Sequence, residues 1–207
     1  MRALIAVPVA VAAALLLVAS CGTDTPDSAT DRGSAKPDMP TAVPSADGPV
    51  VGLGLVIDQD AGPELCLGPV AESYPPQCQG LPVEGWDWTE HRGDFDDAGG
   101  VRFGTFAVTG GFDGTTVRYE SAVAGALYDP MHRSEPTSSA AEQHSAGELE
   151  AIGQELQALP GALSTMPGDN LVVVDVVHDD GSLQDWADAT YGAGLVFVHS
   201  ALIPVAS

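Results

Sequence analysis

The sequence predicts an α+β protein. A small antiparallel β-barrel of the OB type, stapled by one disulfide, precedes a small C-terminal α/β unit of α-β-α-β order. Three observations lead there. Short β-type runs recur through residues 50–127 between Gly, Pro and Asp turn signals, the pattern of small barrels and sandwiches. Cys66 and Cys78 lie twelve positions apart inside that region. From Ser145 onward, helical spacing alternates with β-branched runs, which is how an α/β layer reads. A small sandwich is the alternative to the barrel.

Residues 1–20 read as a targeting segment and stand outside the fold. Arg2 precedes an apolar run, Ala3 to Ala19, broken only by Pro8, and the segment ends Leu17-Val18-Ala19-Ser20-Cys21. Small residues before a cysteine resemble the lipobox of bacterial lipoproteins. That resemblance implies cleavage before Cys21 and acylation of its thiol; Val18 stands where leucine is commoner. An ordinary secretory signal cut near Ala19 is one alternative. A membrane span is another, although a run of about 17 residues is at the lower limit for crossing a bilayer and no basic stop follows it.

Residues 21–49 then read as the lipidated cysteine and a disordered tether. Gly22 to Pro49 is Thr, Ser, Asp, Pro, Ala and Gly with almost no large apolar side chain, too little to offset the entropy of ordering. A flexible coil of that length spans roughly 30 Å.

Within 50–127, strands are expected at Val50–Ile57, Glu64–Leu67, Val83–Trp88, Val101–Thr109 and Thr116–Val123. A glycine-rich hairpin with an Asp113-Gly114 turn joins the last two. With Cys21 set aside, Cys66 and Cys78 form one possible pair. Outside the cytosol such a pair is most simply a disulfide, closing a loop worth about 3 kcal/mol; two buried free thiols are the alternative. Residues 128–145, polar with prolines and serines, read as an interdomain linker.

The unit at 146–207 opens with a capping box, Ser145 to Glu148, followed by Leu149, Ile152, Leu156 and Leu159 at helical spacing. Pro160-Gly161 stops that helix. Leu171–Val177 is a β-branched strand, Asp179-Asp180-Gly181 a turn, and Ser182 the cap of a second helix carrying Leu183, Trp186, Ala187 and Tyr191 inward. Gly192 ends it before an apolar strand, Leu195–His199. Strand, helix, strand predicts parallel pairing with a right-handed crossover.

Charge excludes some partners. The chain carries 7 basic and 29 acidic residues, a formal charge of −22, and Lys36 is its one lysine. Phosphate backbones and anionic headgroups need clustered Lys and Arg. The expectation is therefore no nucleic-acid partner, and membrane contact through the N-terminal anchor alone.

Candidate sites are few. Trp86 and Trp88, two apart on an expected strand, share one face; with Tyr74 they are the candidate ligand or partner surface, the alternative being that the tryptophans fill a core poor in aromatics. Asp94, Asp96 and Asp97 place carboxylates at close spacing on a loop, a weak calcium pattern lacking the full twelve-residue loop. His178, Asp179, Asp180 and Ser182 are hydrolase residue types without a nucleophile elbow. His91, His132, His144 and His199 have no metal-ligand spacing. No catalytic residue and no cofactor is assigned.

The combination L-C-L-G, Y-P-P-Q-C, G-W-D-W and V-T-G-G-F-D-G, followed by D-D-G-S-L-Q, Y-G-A-G-L-V and S-A-L-I-P-V, resembles secreted or lipid-anchored proteins of high-GC Gram-positive (actinobacterial) bacteria across most of residues 50–207. The resemblance implies an envelope location and brings no activity. The expected function is a non-enzymatic binding or interaction module on the outer face of the cytoplasmic membrane, its partner another envelope protein or a small envelope ligand. An envelope hydrolase or metal-dependent enzyme with a dispersed site, and a structural spacer or assembly factor, are the alternatives.

Overall fold

The longest strand sets the frame of the first sheet. In the computed structural model, which describes residues 36–59, 61–130 and 135–205, strand β5 (Val101–Phe112) turns at Asp113 into β6 (Val117–Ala124). The turn is held by its own first side chain. Asp113 Oδ1 accepts from the amides of Thr115 (3.0 Å) and Thr116 (2.9 Å), as Asp does where a chain reverses. The expected signal segment, Cys21, the first part of the expected tether and His132 lie outside the described residues.

Strands β1 (Val50–Asp58), β2 (Pro63–Cys66), β3 (Leu81–Glu84) and β4 (Asp96–Ala98) join them, and β10 (Ile203–Pro204) returns from the C-terminus. The seven-stranded order is β10-β1-β2-β3-β6-β5-β4, with a further pairing of β1 to β5. All pairings are antiparallel except β3 with β6. Hydrogen bonding therefore passes from β1 through β2, β3, β6 and β5 back to β1. The links through β3 are short: Glu64↔Pro82 and Leu65↔Leu81 on one side, Val83↔Val117 and Glu84↔Arg118 on the other. The result is a curled sheet and not a clearly closed barrel.

Its core is built from Val56, Leu65, Phe106, Val108, Val117 and Trp88. Where β1 meets β2 the backbones approach so closely that a Cβ at Gly54 would lie 2.3 Å from the Cys66 carbonyl oxygen, so only glycine fits. Cys66 and Cys78 are bridged.

The second layer contains helix α1 (Ala146–Leu156), β7 (Ala162–Gly168), β8 (Leu171–Val176), α2 (Ser182–Tyr191) and β9 (Val196–Ser200). The capping box closes α1 from both sides: the Glu148 amide donates to Ser145 Oγ (3.3 Å) and the Ser145 amide to Glu148 Oε2 (2.7 Å). Both helices cover one face of the sheet β7-β8-β9 around Leu156, Val172, Val174, Leu183 and Trp186. β8 and β9 are parallel across α2, as a βαβ unit requires.

This layer departs from the expected α-β-α-β order. Pro160-Gly161 stops α1 but starts an unexpected strand, β7, which pairs with β8 through a turn at Asp169 (φ 48°) and Asn170 (φ 59°). Two successive left-handed residues suit a tight hairpin. Its strand, Ala-Leu-Ser-Thr-Met-Pro-Gly, carries little β-branched content, and tertiary pairing overrides that.

The two layers are in contact through the C-terminal strand. Lys36–Ser207 group as one compact unit. β10 leaves the helical layer to pair with β1, at Val50↔Pro204 and Val51↔Ile203, and Val177 and Leu202 enter the first core.

Residues 36–49, expected within the disordered tether, instead form a strap. Lys36 pairs with Glu155 and lies 4.6 Å from the Tyr191 ring centroid. Trp186 Nε1 donates to the Pro37 carbonyl (3.3 Å), and the Ala46 amide donates to the Phe112 carbonyl (3.0 Å). Met39 packs on the helical core and Val43 on the other. These two apolar side chains, one cation and two hydrogen bonds hold it, a signal hidden by the polar bulk of the stretch.

The expected linker is likewise fastened. Asn170 donates to the Glu142 carbonyl (2.9 Å) and accepts from the His144 amide (2.7 Å), and the Ser139 amide donates to the Gly194 carbonyl (3.3 Å).

The outer edge of β9 is covered by a side chain. Gln184 of α2 donates to the Val196 carbonyl (3.0 Å) and accepts from the Val198 amide (2.8 Å). Its amide plays the part of a neighbouring strand and blunts an edge that would otherwise template association.

Candidate functional site

Alternation along β8 and β9 leaves one face of the second sheet without helices. Val172, Val174 and Val176 point toward the helices and are fully buried, so Val173 and Asp175 point away. The same alternation turns Phe197 and His199 outward on β9. The strand register then sorts these residues into rows. Met166, Val173 and Phe197 lie side by side across the three strands, and Ser164, Asp175 and His199 form the next accessible row.

The apolar row is exposed: Met166 at 56% and Phe197 at 38%. It floors a cleft of about 550 Å³ whose opposite wall is Val51 and Leu53 of β1 with Ile203 of β10. The connecting residues Tyr128, Pro136 and Glu135 line its rim. This size and apolar character are those of a small-molecule site.

The polar row closes one end. His199 Nδ1 lies 2.6 Å from Asp175 Oδ1, and Ser164 Oγ donates to Asp175 Oδ2 at 2.5 Å. A carboxylate only accepts, so the histidine proton at that contact sits on Nδ1. The side chains of His199 and Asp175 are 36% and 26% exposed. A second cavity of about 330 Å³, lined by Leu67, Leu163 and Ser164 among others, shares Asp175, His199 and Ala201 with the first. The pair thus stands where two cavities meet.

Chemically this row orients and accepts. The carboxylate lies between the hydroxyl and the imidazole, so Ser164 is hydrogen-bonded to Asp175 and not to the histidine, unlike a nucleophile held by its base.

The residues singled out in the sequence lie elsewhere. Gly85 (φ 87°) ends β3, so Trp86 and Trp88 do not sit on a strand; Trp88 begins a short 3-10 turn, Trp88–His91. Trp88 is a core residue, 5% exposed, with its Nε1 donating to Asp58 (3.0 Å). Trp86 is half-buried, stacked on His91 at 4.2 Å and edge-on to Trp88 at 5.3 Å. Interior rings occupy their faces. Tyr119, whose hydroxyl lies 3.2 Å from His91 Nε2, has its pKa raised by burial and then by the Glu90 carboxylate.

Tyr74 is apart from them, 73% exposed, its ring edge-on to Phe103 at 5.5 Å beside a wide surface groove of about 850 Å³. Asp94 and Asp96 lie along the same groove. Asp96 and Asp97 are successive residues of β4 and so point to opposite faces. Among the described residues, no group of three His, Cys, Asp or Glu is arranged to hold a metal ion.

His178 is buried, with Nδ1–H donating to the Leu202 carbonyl (3.1 Å) and its ring against Phe112. Asp179, not Ser182, caps α2: Oδ1 accepts from the amides of Gly181 and Leu183, both 2.9 Å. Ser182 is the first helical residue. A hydrogen bond from Ser182 holds the Asp180 carboxyl below its ordinary pKa.

The cleft has no local mark in the sequence: Asp175 sits among valines and His199 ends an apolar run. Reading both strands for parity and pairing them in parallel register is the signal that brings these two together.

Among the described residues, no helix is long and apolar enough to cross a membrane. No protein-family model, curated protein or solved structure matches the chain.

Proposed function

We propose that this chain is a lipid-anchored, extracytoplasmic binding module, held to the outer face of the cytoplasmic membrane by Cys21, whose ligand occupies the cleft over Met166, Val173 and Phe197. The observation that carries this reading is an open, helix-free sheet face presenting a row of large apolar side chains beside an Asp–His pair. Apolar side chains exposed together on one concave surface mark an interaction site more often than chance packing. We read the seven-stranded sheet as an OB-like barrel. The circuit of pairings from β1 back to β1 and the parallel β3–β6 contact support that reading. The signal-like start of the chain and its resemblance to actinobacterial envelope proteins support the location.

The test is titration with Nile red, an uncharged apolar probe. Wild type is expected to saturate at one dye per chain with enhanced emission. Phe197→Glu, at an exposed position, is expected to abolish this while leaving the circular dichroism unchanged. Undiminished dye binding by a folded Phe197→Glu protein contradicts the cleft as the site. For the anchor, palmitate labelling is expected in wild type and lost in Cys21→Ser.

A further inference from the structure

We infer that the cleft selects an amphipathic organic cation, an apolar chain or ring bearing a primary ammonium group, with the ammonium seated on Asp175; this rests on the cleft being the binding site. The observation is the distribution of charge around the apolar floor. Among the described residues lining the cleft there is no lysine or arginine, while Asp175 and Glu135 both face it.

Asp175 is built to receive a donor. Its two oxygens offer about four acceptor positions, and His199 and Ser164 fill one on each oxygen. Those two contacts fix the carboxylate plane, and its side chain stays 26% exposed. An ammonium approaching from the cleft therefore finds a pre-oriented acceptor next to the apolar row. The preceding row position holds Val173, two residues along β8, so the head and body of such a ligand fall on adjacent rows roughly 7 Å apart. An anionic head meets two carboxylates here, and juxtaposed like charges oppose binding. The overall charge of −22 adds to attraction of a cation at low ionic strength.

The experiment compares three probes of equal chain length, octylammonium, 1-octanol and octanoate, by NMR titration of the full folded chain at neutral pH and low salt. Octylammonium is expected to bind at least ten-fold more tightly than octanol, and octanoate more weakly than either. Asp175→Asn, which keeps the side-chain shape, is expected to reduce octylammonium to the octanol level without changing octanol. Equal binding of all three probes overturns the cation preference but leaves the cleft standing. An unchanged octylammonium preference in Asp175→Asn overturns Asp175 as the ammonium seat and likewise leaves the cleft standing. No binding of octanol or octylammonium, with Nile red also failing, overturns the cleft itself.

Discussion

Asp175 and His199 stand opposite each other in register across the parallel pair β8–β9, with Oδ1 and Nδ1 2.6 Å apart. Nothing in the sheet's packing calls for a polar pair at that point. Every neighbour on the helix side of β8 is valine, and the pair faces the cleft.

A hydrogen-bonded pair this exposed contributes little to folding, since water competes for both groups and holding two side chains in one geometry costs rotamer entropy. Asp175→Val, which extends the apolar row, is expected to alter stability by less than about 1 kcal/mol. Urea unfolding checks this. A loss of several kcal/mol would mark the pair as a structural element instead of a binding one.

Gln184 is expected to matter more than its half-exposed position suggests. Gln184→Leu removes two hydrogen bonds to β9, at about 1 kcal/mol each, and uncovers a strand edge. Lower stability together with concentration-dependent association by light scattering is the predicted outcome. A monomer of unchanged stability would show that the edge needs no cover.

The two candidates for capping α2 separate cleanly. Asp179→Ala is expected to cost about 1 to 2 kcal/mol, because three helix-terminal amides lose their acceptor. Ser182→Ala is expected to stay within about 0.5 kcal/mol. Equal losses would return the cap to Ser182.

The strap carries a pH signature. A hydrogen bond from Lys36 holds the Glu155 carboxyl below its ordinary pKa of 4.5. A folded-state pKa below the unfolded value gives stability that is present above about pH 4.5 and is lost as pH falls through the folded value. Lys36→Ala is therefore expected to be slightly less stable than wild type at pH 7, by a few tenths of a kcal/mol at this exposed site. The two should converge as pH falls through that folded value. A gap that persists once Glu155 is protonated would assign the loss to packing on Tyr191.

The local grammar of this chain was legible. Ser145 and Glu148 form their box, Asp113 makes its turn, and the strand–helix–strand spacing yields a parallel pair, because each depends on residues close in sequence. What was hidden depends on distant partners. β7 becomes a strand because β8 lies beside it. Met39 and Val43 hold the strap only once two cores exist to receive them. Trp86 and Trp88 looked like a strand face, but Gly85 turns the chain before them and Asp58, thirty residues earlier, receives the Trp88 indole. The Asp175–His199 pair was hidden for the same reason: its residues are separated by a helix, and only strand register joins them.

The open face of β8–β9 is the proposed binding site. The most direct measurement is a map of backbone amide shifts in ¹⁵N-labelled protein as octylammonium is added. Changes are expected to centre on Val173, Asp175, Phe197 and His199 and to continue across the cleft to Val51 and Leu53. Changes gathered instead around Tyr74 and Phe103, with the β8–β9 face unmoved, would contradict it and place the site in the groove beside the disulfide.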